Sequence, residues 1–159
     1  MASHSQQMQT IFARYQKEVS DNPVDLKEVG RWAIDNGLWQ PRPIDIQSKF
    51  ASEMATALRE EYRTDKKGRR YRSKLPARKK ASGGETLFQW ADIDTAERPH
   101  VELALQQRRK QIVGDCHQLR VDTDHWNDAN PSSEQIEMIY DFTDDVEEMF
   151  IAEGIEDAA

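Results

Sequence analysis

Cations near the middle of the chain are the residues best suited to chemistry. Residues 59–80 hold 11 Lys and Arg against 3 Asp and Glu, a local charge of about +8, although the whole chain carries −7. Tyr62 and Tyr71 lie among these cations, and such interleaving is typical of surfaces that contact phosphates and stack on bases. The pattern predicts a nucleic-acid site, with DNA expected first and RNA left open, formed by Arg63, Lys66, Lys67, Arg69, Arg70, Arg72, Lys74, Arg78, Lys79 and Lys80.

Other chemistry has weaker support. Cys116, His117 and His125 are types of metal ligand, but eight helical steps, about 12 Å of rise, separate the two histidines, too far to share one ion. Cys116 lies on an apolar stripe, which favours an inert thiol over a nucleophile. The carboxylates show no nuclease spacing, and no phosphate-binding glycine loop occurs. The sequence therefore predicts no enzyme, no metal and no cofactor.

Composition predicts a thin core. Of the 159 residues, 37% are hydrophobic and 32% are charged, which indicates amphipathic elements or a face that a partner covers. No stretch approaches the roughly 20 apolar residues that span a bilayer, and the only cysteine is Cys116. We therefore expect no membrane partner, no secretion and a cytoplasmic location.

Three helices are predicted ahead of the basic segment. Apolar residues at helical spacing indicate one helix over about residues 5–20, a second that begins at Asp25 and ends before Asn36-Gly37, and a third over 45–61. A proline-rich connector at 37–43 separates the last two. Trp32, Phe50 and Leu58 are expected to share one buried cluster.

The basic segment predicts a β-hairpin. Residues 62–64 and 69–72 flank a turn at 65–68 that ends in Gly68, where a positive φ is often required. A four-residue loop would place Tyr62 opposite Tyr71. A bulged three-residue loop would shift that register by one, and the sequence leaves both open.

Pro76 is expected to end the hairpin, and residues 78–84 are typical of a flexible, basic linker. The predicted organisation is a helical domain with a basic hairpin at 1–80, a flexible linker at 81–85 and an acidic helical region at 86–159. Residues 86–93 suit either a strand or a helical turn. Both alternatives supply Phe88 and Trp90 to a core.

Two helices are predicted in the C-terminal half. The first spans about residues 99–124 and should pack against other helices of the chain through Val101, Leu105, Ile112, Cys116 and Leu119. Residues 127–133 break the pattern. Residues 121–159 hold 13 acidic residues and no Lys or Arg. The last helix, capped by Ser132 or Ser133, should turn these side chains inward: Ile136, Ile139, Tyr140, Val146, Met149 and Phe150.

The order helix, helix, helix, hairpin over residues 5–74 resembles that of winged-helix DNA-binding domains, with 45–61 in the recognition-helix position and 63–72 as the wing. The predicted fold class is therefore mainly α with a small β-hairpin (α+β), a winged-helix-like N-terminal half followed by a helical C-terminal half. The third helix mixes Glu with Lys and Arg on its exposed face. This mixture favours phosphate contact by the hairpin over base reading by the helix.

Two functions are compatible with these patterns. The first is a non-enzymatic nucleic-acid-binding accessory or regulatory protein whose acidic C-terminal helices meet another protein. The alternative is a protein interaction adaptor whose hairpin binds an acidic partner and no nucleic acid. The acidic region either competes with nucleic acid for the hairpin or forms the solvated face of an amphipathic helix.

Overall fold

Five helices and two antiparallel two-stranded sheets make up the part of the chain that the computed structural model describes, residues 3–40 and 46–155. This mixed α+β content agrees with the expected class. None of the described helices has the length and apolar character needed to cross a membrane. In chain order the elements are α1 His4–Glu18, α2 Leu26–Asp35, α3 Ile46–Arg59, β1 Tyr62–Thr64, β2 Arg70–Arg72, β3 Lys74–Lys80, β4 Thr86–Asp92, α4 Arg98–Ala129 and α5 Thr143–Ala152.

The chain forms two units that divide between Lys49 and Phe50. In the first unit, α1 begins with a capping box. The Ser3 hydroxyl accepts the Gln6 N–H at 3.2 Å and the Gln6 side chain accepts the Ser3 N–H at 2.7 Å. Asp25 caps α2 by accepting the Lys27 N–H at 2.8 Å. Both predicted helices are confirmed, and so is the Asp25 start.

Tyr15 is the centre of the first unit. Its buried ring meets Trp32 edge to face with centroids 5.4 Å apart, and Val29 and Ala33 are buried with it. Its hydroxyl donates to Glu28 at 3.1 Å. Burial, followed by this hydrogen bond, raises the pKa of Tyr15. Tyr15 thus joins α1 to α2, and its buried hydroxyl group has a hydrogen-bond partner in Glu28.

α3 is present as predicted, but its apolar stripe is not buried. Phe50 exposes 62% of its surface, and Ile46 and Met54 are also exposed. The expected buried cluster of Trp32, Phe50 and Leu58 is therefore wrong. Helical periodicity identifies the apolar side of a helix, but it does not show whether another element covers that side. The predicted start at residue 45 and residues 41–43 of the connector lie outside the described residues.

The predicted first hairpin is confirmed, and its loop has three residues. Asp65 donates its N–H to the Arg69 carbonyl at 3.0 Å, and Gly68 closes the turn with φ of +79°. A positive φ suits glycine because it has no Cβ to clash. Of the two registers left open, the bulged one is confirmed and the four-residue one is wrong. The register pairs Tyr62 with Arg72, Arg63 with Tyr71 and Thr64 with Arg70.

A second hairpin replaces the linker that the sequence predicted. Residues 78–80 belong to β3, and 81–85 form its turn. Ala81 donates its N–H to the Glu85 carbonyl at 2.8 Å, and Gly84 has φ of +83°. This is the loop geometry of the first hairpin, so the glycines that suggested a linker complete a turn. Residues 86–93 are resolved in favour of the strand, and seven pairs run from Lys74 with Asp92 to Lys80 with Thr86.

Pro76 lies inside β3 and does not end the hairpin region, so that prediction is wrong. The Ser73 carbonyl accepts the Ile93 N–H at 2.9 Å. Because backbone groups alternate along a strand, the residues in phase with Ser73 bond to β4 and Pro76 faces the open edge. The missing N–H of proline costs no ladder hydrogen bond there.

The core of the second unit is small. Leu75 and Ala77 of β3 are buried against Ala104 of α4. Three partly buried residues surround them: Ile93, Val101 and Leu103. Phe88, expected in a core, is exposed instead, because it lies on the opposite face of the hairpin from Leu75 and Ala77.

α4 is longer than predicted and largely uncovered. It has 32 residues and so spans about 48 Å, continuing to Ala129 through part of the expected break. Leu105, Ile112 and Leu119 stay exposed, so the prediction that this stripe packs on other helices is wrong. Apolar residues seven apart leave too narrow a stripe to bury a helix of this length.

The last helix begins later than predicted. Residues 134–142 form no helix or strand, and α5 starts at Thr143, so a cap at Ser132 or Ser133 is wrong. The inward stripe is wrong too: Ile139 exposes 82% of its surface, and Met149 and Phe150 are exposed. A row of apolar residues turns inward only where another surface receives it.

Candidate nucleic-acid interface

The tip of the first hairpin presents two exposed cations, Lys66 and Lys67. Asp65 orders this tip by accepting the N–H groups of Lys67 at 2.9 Å and Arg69 at 3.0 Å, and the Arg69 side chain at 2.7 Å. Burial acts to raise the pKa of Asp65, but these hydrogen bonds lower it overall. Arg69 is thereby engaged within the chain, whereas the two lysines project from an ordered turn.

Arg63 and Lys74 belong to an ion-pair network. Arg63 donates to Asp92 at 2.5 and 2.8 Å and to Asp94 at 2.7 Å. Lys74 donates to Asp92 at 2.8 Å, and Glu61 lies 3.8 Å from both cations. Two predicted phosphate ligands therefore connect the two hairpins to each other.

This network shifts the titration of its members. Hydrogen bonds from Arg63 and then Lys74 hold the pKa of Asp92 far below its usual range, and the bonds to Asp92 and Asp94 raise the pKa of Arg63. Tyr71 donates to Asp94 at 2.9 Å, which raises the pKa of Tyr71. At neutral pH the network is fully charged and braces β1 and β2 against the end of β4.

The other seven predicted cations form no salt bridge within residues 3–40 and 46–155. Arg70 lies over the Tyr62 ring, 4.1 Å from its centroid, a cation–π contact that leaves its charge exposed to solvent. These seven side chains are the ones free to neutralise phosphate: Lys66, Lys67, Arg70, Arg72, Arg78, Lys79 and Lys80.

A groove of about 430 Å³ in the second unit brings several cations together; we call it the basic groove. It is lined by three predicted residues, Arg72, Lys74 and Arg78. Two further cations join them: Arg59, which ends α3, and Arg108 of α4. Arg59 lies in the basic segment but was not among the predicted ligands, and Arg108 was missed because only folding brings it to β3.

The rest of the basic groove is apolar apart from a few polar groups. Leu75, Pro76 and Leu105 line it together with the exposed ring of Phe88, and among the residues that the structure describes Asp115 is the one carboxylate in its lining. A concave, partly apolar surface with convergent charges is the usual form of a ligand site. Lys74 is already paired with Asp92, but the other four cations form no salt bridge within the described residues, so this groove should prefer anions.

Gln107 fixes the position of the basic groove. Its side chain accepts the Arg78 N–H at 2.7 Å and donates to the Arg78 carbonyl at 2.8 Å. His100, about two turns earlier on α4 than Gln107, has its Nε2 atom 3.0 Å from the Leu75 carbonyl oxygen. Through Gln107 the helix occupies the open edge of β3 at Arg78 much as a neighbouring strand would, which protects that edge from pairing with other chains, whereas the Leu75 carbonyl points toward β4.

In the described part of the chain, no three His, Cys, Asp or Glu side chains come close enough together to hold a metal ion. Cys116 is a free, half-buried thiol on α4.

Asn127, buried near the far end of the same helix, donates to the Ile136 carbonyl and accepts the Ile136 N–H, both at 2.9 Å. The acidic region is anchored at that end.

Comparison with protein-family models, with curated proteins and with solved structures finds no match to this chain.

Proposed function

We propose that this protein is a non-enzymatic nucleic-acid-binding accessory or regulatory protein. The observation that carries the proposal is the basic groove, in which Arg59, Arg72, Lys74, Arg78 and Arg108 converge beside an exposed aromatic ring. The cationic surface extends along both hairpins, through Lys66 and Lys67 in the turn of the first and through Lys79 and Lys80 at the end of β3 in the second.

Binding would depend chiefly on phosphates. Lys and Arg side chains that neutralise phosphates release condensed counterions, so affinity falls steeply as salt rises. Contacts of this kind set position and orientation without reading sequence. Affinity for many sequences, with little discrimination, is the expected behaviour.

The winged-helix resemblance contributes one feature to the proposal. The order of α1, α2, α3, β1 and β2 supports a wing-like role for the first hairpin, in which Lys66, Lys67 and Arg70 contact the backbone of the nucleic acid. α3 is not assigned a base-reading role, since Glu53 shares its surface with Lys49 and Arg59 and Glu60 follows it directly.

A protein interaction adaptor is the second candidate: the exposed cations of the hairpins would pair with the carboxylates of a partner protein, and the exposed apolar residues of the acidic region would add a further protein contact. Ile139, Met149 and Ile151 are largely exposed in a segment that has no Lys or Arg. Exposed apolar side chains in such number mark contact surfaces. In the first proposal this surface meets a protein partner while the hairpins hold nucleic acid. In the second, the hairpins themselves bind an acidic protein.

A titration against three nucleic acids and one acidic polypeptide separates the candidates. Fluorescence anisotropy is measured with labelled duplex DNA, single-stranded DNA and RNA of equal length, with poly-glutamate as competitor. Nucleic-acid binding that weakens steeply with salt and resists poly-glutamate at equal charge supports the first candidate. Displacement by poly-glutamate at equal charge, or no binding at low salt, would favour the adaptor.

A further inference from the structure

Four aromatic rings lie on the two hairpins, and three of them are already engaged. Tyr62 lies under Arg70, Trp90 lies 5.3 Å from the Arg59 guanidinium, and the Tyr71 hydroxyl donates to Asp94. Phe88 differs. It exposes 61% of its surface and has no ring or cation–π contact within residues 3–40 and 46–155.

The position of Phe88 places an open ring among cations. It is paired with Arg78 across the second hairpin, and directly opposed residues of an antiparallel pair point to the same face. Arg78, Arg72 and Arg108 line the same groove. A planar ring with phosphate ligands around it matches the two parts of a nucleotide, a base and its phosphate.

We propose that the basic groove binds single-stranded nucleic acid, with one unpaired base stacked on Phe88 and the flanking phosphates held by Arg72, Arg78 and Arg108. This inference rests on the proposed function and narrows it from nucleic acid in general to unpaired strands.

The selectivity follows from which bases have a free face. Inside a duplex, neighbouring base pairs cover both faces, and extruding a base costs unstacking and unpairing energy. A single strand supplies open faces without that cost. All bases have a π face, so the site accepts many sequences. At about 430 Å³ the groove falls within the usual range of small-ligand sites, which suits a nucleotide.

The full-length protein and Phe88→Ala are compared by anisotropy on oligothymidylate, oligouridylate and a mixed-sequence DNA duplex of equal length. The wild type should bind single strands more tightly than the duplex. Phe88→Ala should lose about 5- to 150-fold on single strands, the range that one stacked base supplies. Its duplex affinity should change far less. The DNA and RNA oligonucleotides show which sugar the site prefers, and preference for either is compatible with stacking.

Two further variants keep the test sharp. Leu87→Ala removes an exposed apolar side chain from the opposite face of the same strand and should bind like the wild type. Phe88→Trp keeps a stacking ring and should retain affinity, while thermal melting confirms that each variant is folded.

The outcomes separate this inference from the proposed function. Nucleic-acid binding with equal affinity for duplex and single strand, or equal losses for Phe88→Ala and Leu87→Ala, overturns the stacking site and leaves the phosphate-binding function standing. Absence of binding to every nucleic acid at low salt overturns both.

Discussion

Replacing Arg72 and Arg78 with Gln tests the electrostatics of the basic groove. Neither side chain has a carboxylate partner in the described residues, and the two hydrogen bonds between Arg78 and Gln107 use the Arg78 backbone. The double variant should therefore fold normally, with a stability change within about 0.5 kcal/mol per site.

The expected effect on binding can be worked out from counterion release. Each phosphate contact on a single strand contributes about 0.7 to the slope of log affinity against log salt. If both arginines contact phosphate, the slope of the variant should be smaller by about 1.4. A fourfold rise in salt would then cost the wild type about sevenfold more affinity than it costs the variant.

Anisotropy titrations with oligothymidylate at several salt concentrations measure these slopes. Arg98→Gln with Arg120→Gln is the matched control, because it removes the same charge from two exposed α4 arginines that pair with Glu102 and Asp124. The control should keep the wild-type slope. An unchanged slope for the groove variant, or an equal decrease for the control, would refute direct phosphate contact by Arg72 and Arg78.

Three other predictions concern the supporting structure. Leu75→Ala should lower the unfolding free energy in urea by about 2–5 kcal/mol because it empties a small buried core, whereas exposed Leu87→Ala should have little effect; equal losses would contradict the core assignment. The pKa of Asp92 is depressed in the folded state, so the stability that its ionised carboxylate adds is present above the unfolded pKa of about 4 and should be lost as the pH falls below that value. Asp92→Asn should therefore make the unfolding free energy less dependent on pH in the acid range. An Asp92 carboxyl that titrates near pH 4 by NMR would contradict this prediction. If the acidic region competes for the hairpins, a chain ending before Ser132 that still shows a folded circular dichroism spectrum should bind nucleic acid more tightly at low salt, and equal affinity would leave that region as a solvated face or a docking surface.

Local chemistry explains the elements that sequence reasoning predicted correctly. Asp25 caps α2 because a short carboxylate reaches the next backbone N–H groups. Gly68 marks the first turn because its φ of +79° excludes most side chains. Such signals involve residues only a few positions apart, so they can be recognised in the sequence without knowledge of the rest of the fold.

β3 shows why other elements were missed. Only Leu75 and Ala77 face its core, and Pro76 together with three cations at 78–80 resembles a linker in composition. The segment is a strand because it pairs with β4, and its core face and open edge are covered by Ala104 and Gln107, almost thirty residues further along the chain. Tertiary contacts of this range have no local pattern.

The candidate site also has a part that the sequence predicted and a part that it did not. Charge density identified the basic segment, but it did not distinguish cations that face solvent from cations that meet carboxylates. Arg63 is tied to Asp92, 29 positions later, and Phe88 was expected in a core although it lines the basic groove. Ion pairing and ring exposure depend on the packing of separate elements, so both become visible only in three dimensions.

α4 sets the distance between the two charge centres of the second unit. The helix rises about 30 Å from Gln107, which hydrogen-bonds to β3, to Asn127, which hydrogen-bonds to Ile136. That is several Debye lengths at physiological salt, so the carboxylates near Asn127 do little to neutralise the hairpins directly. The hairpins and the residues near Asn127 therefore form separated positive and negative regions, an electric dipole. For the proposed nucleic-acid function, a polyanion would orient the unit with the hairpins first, and the exposed apolar side chains of the acidic region would remain available to the proposed protein partner.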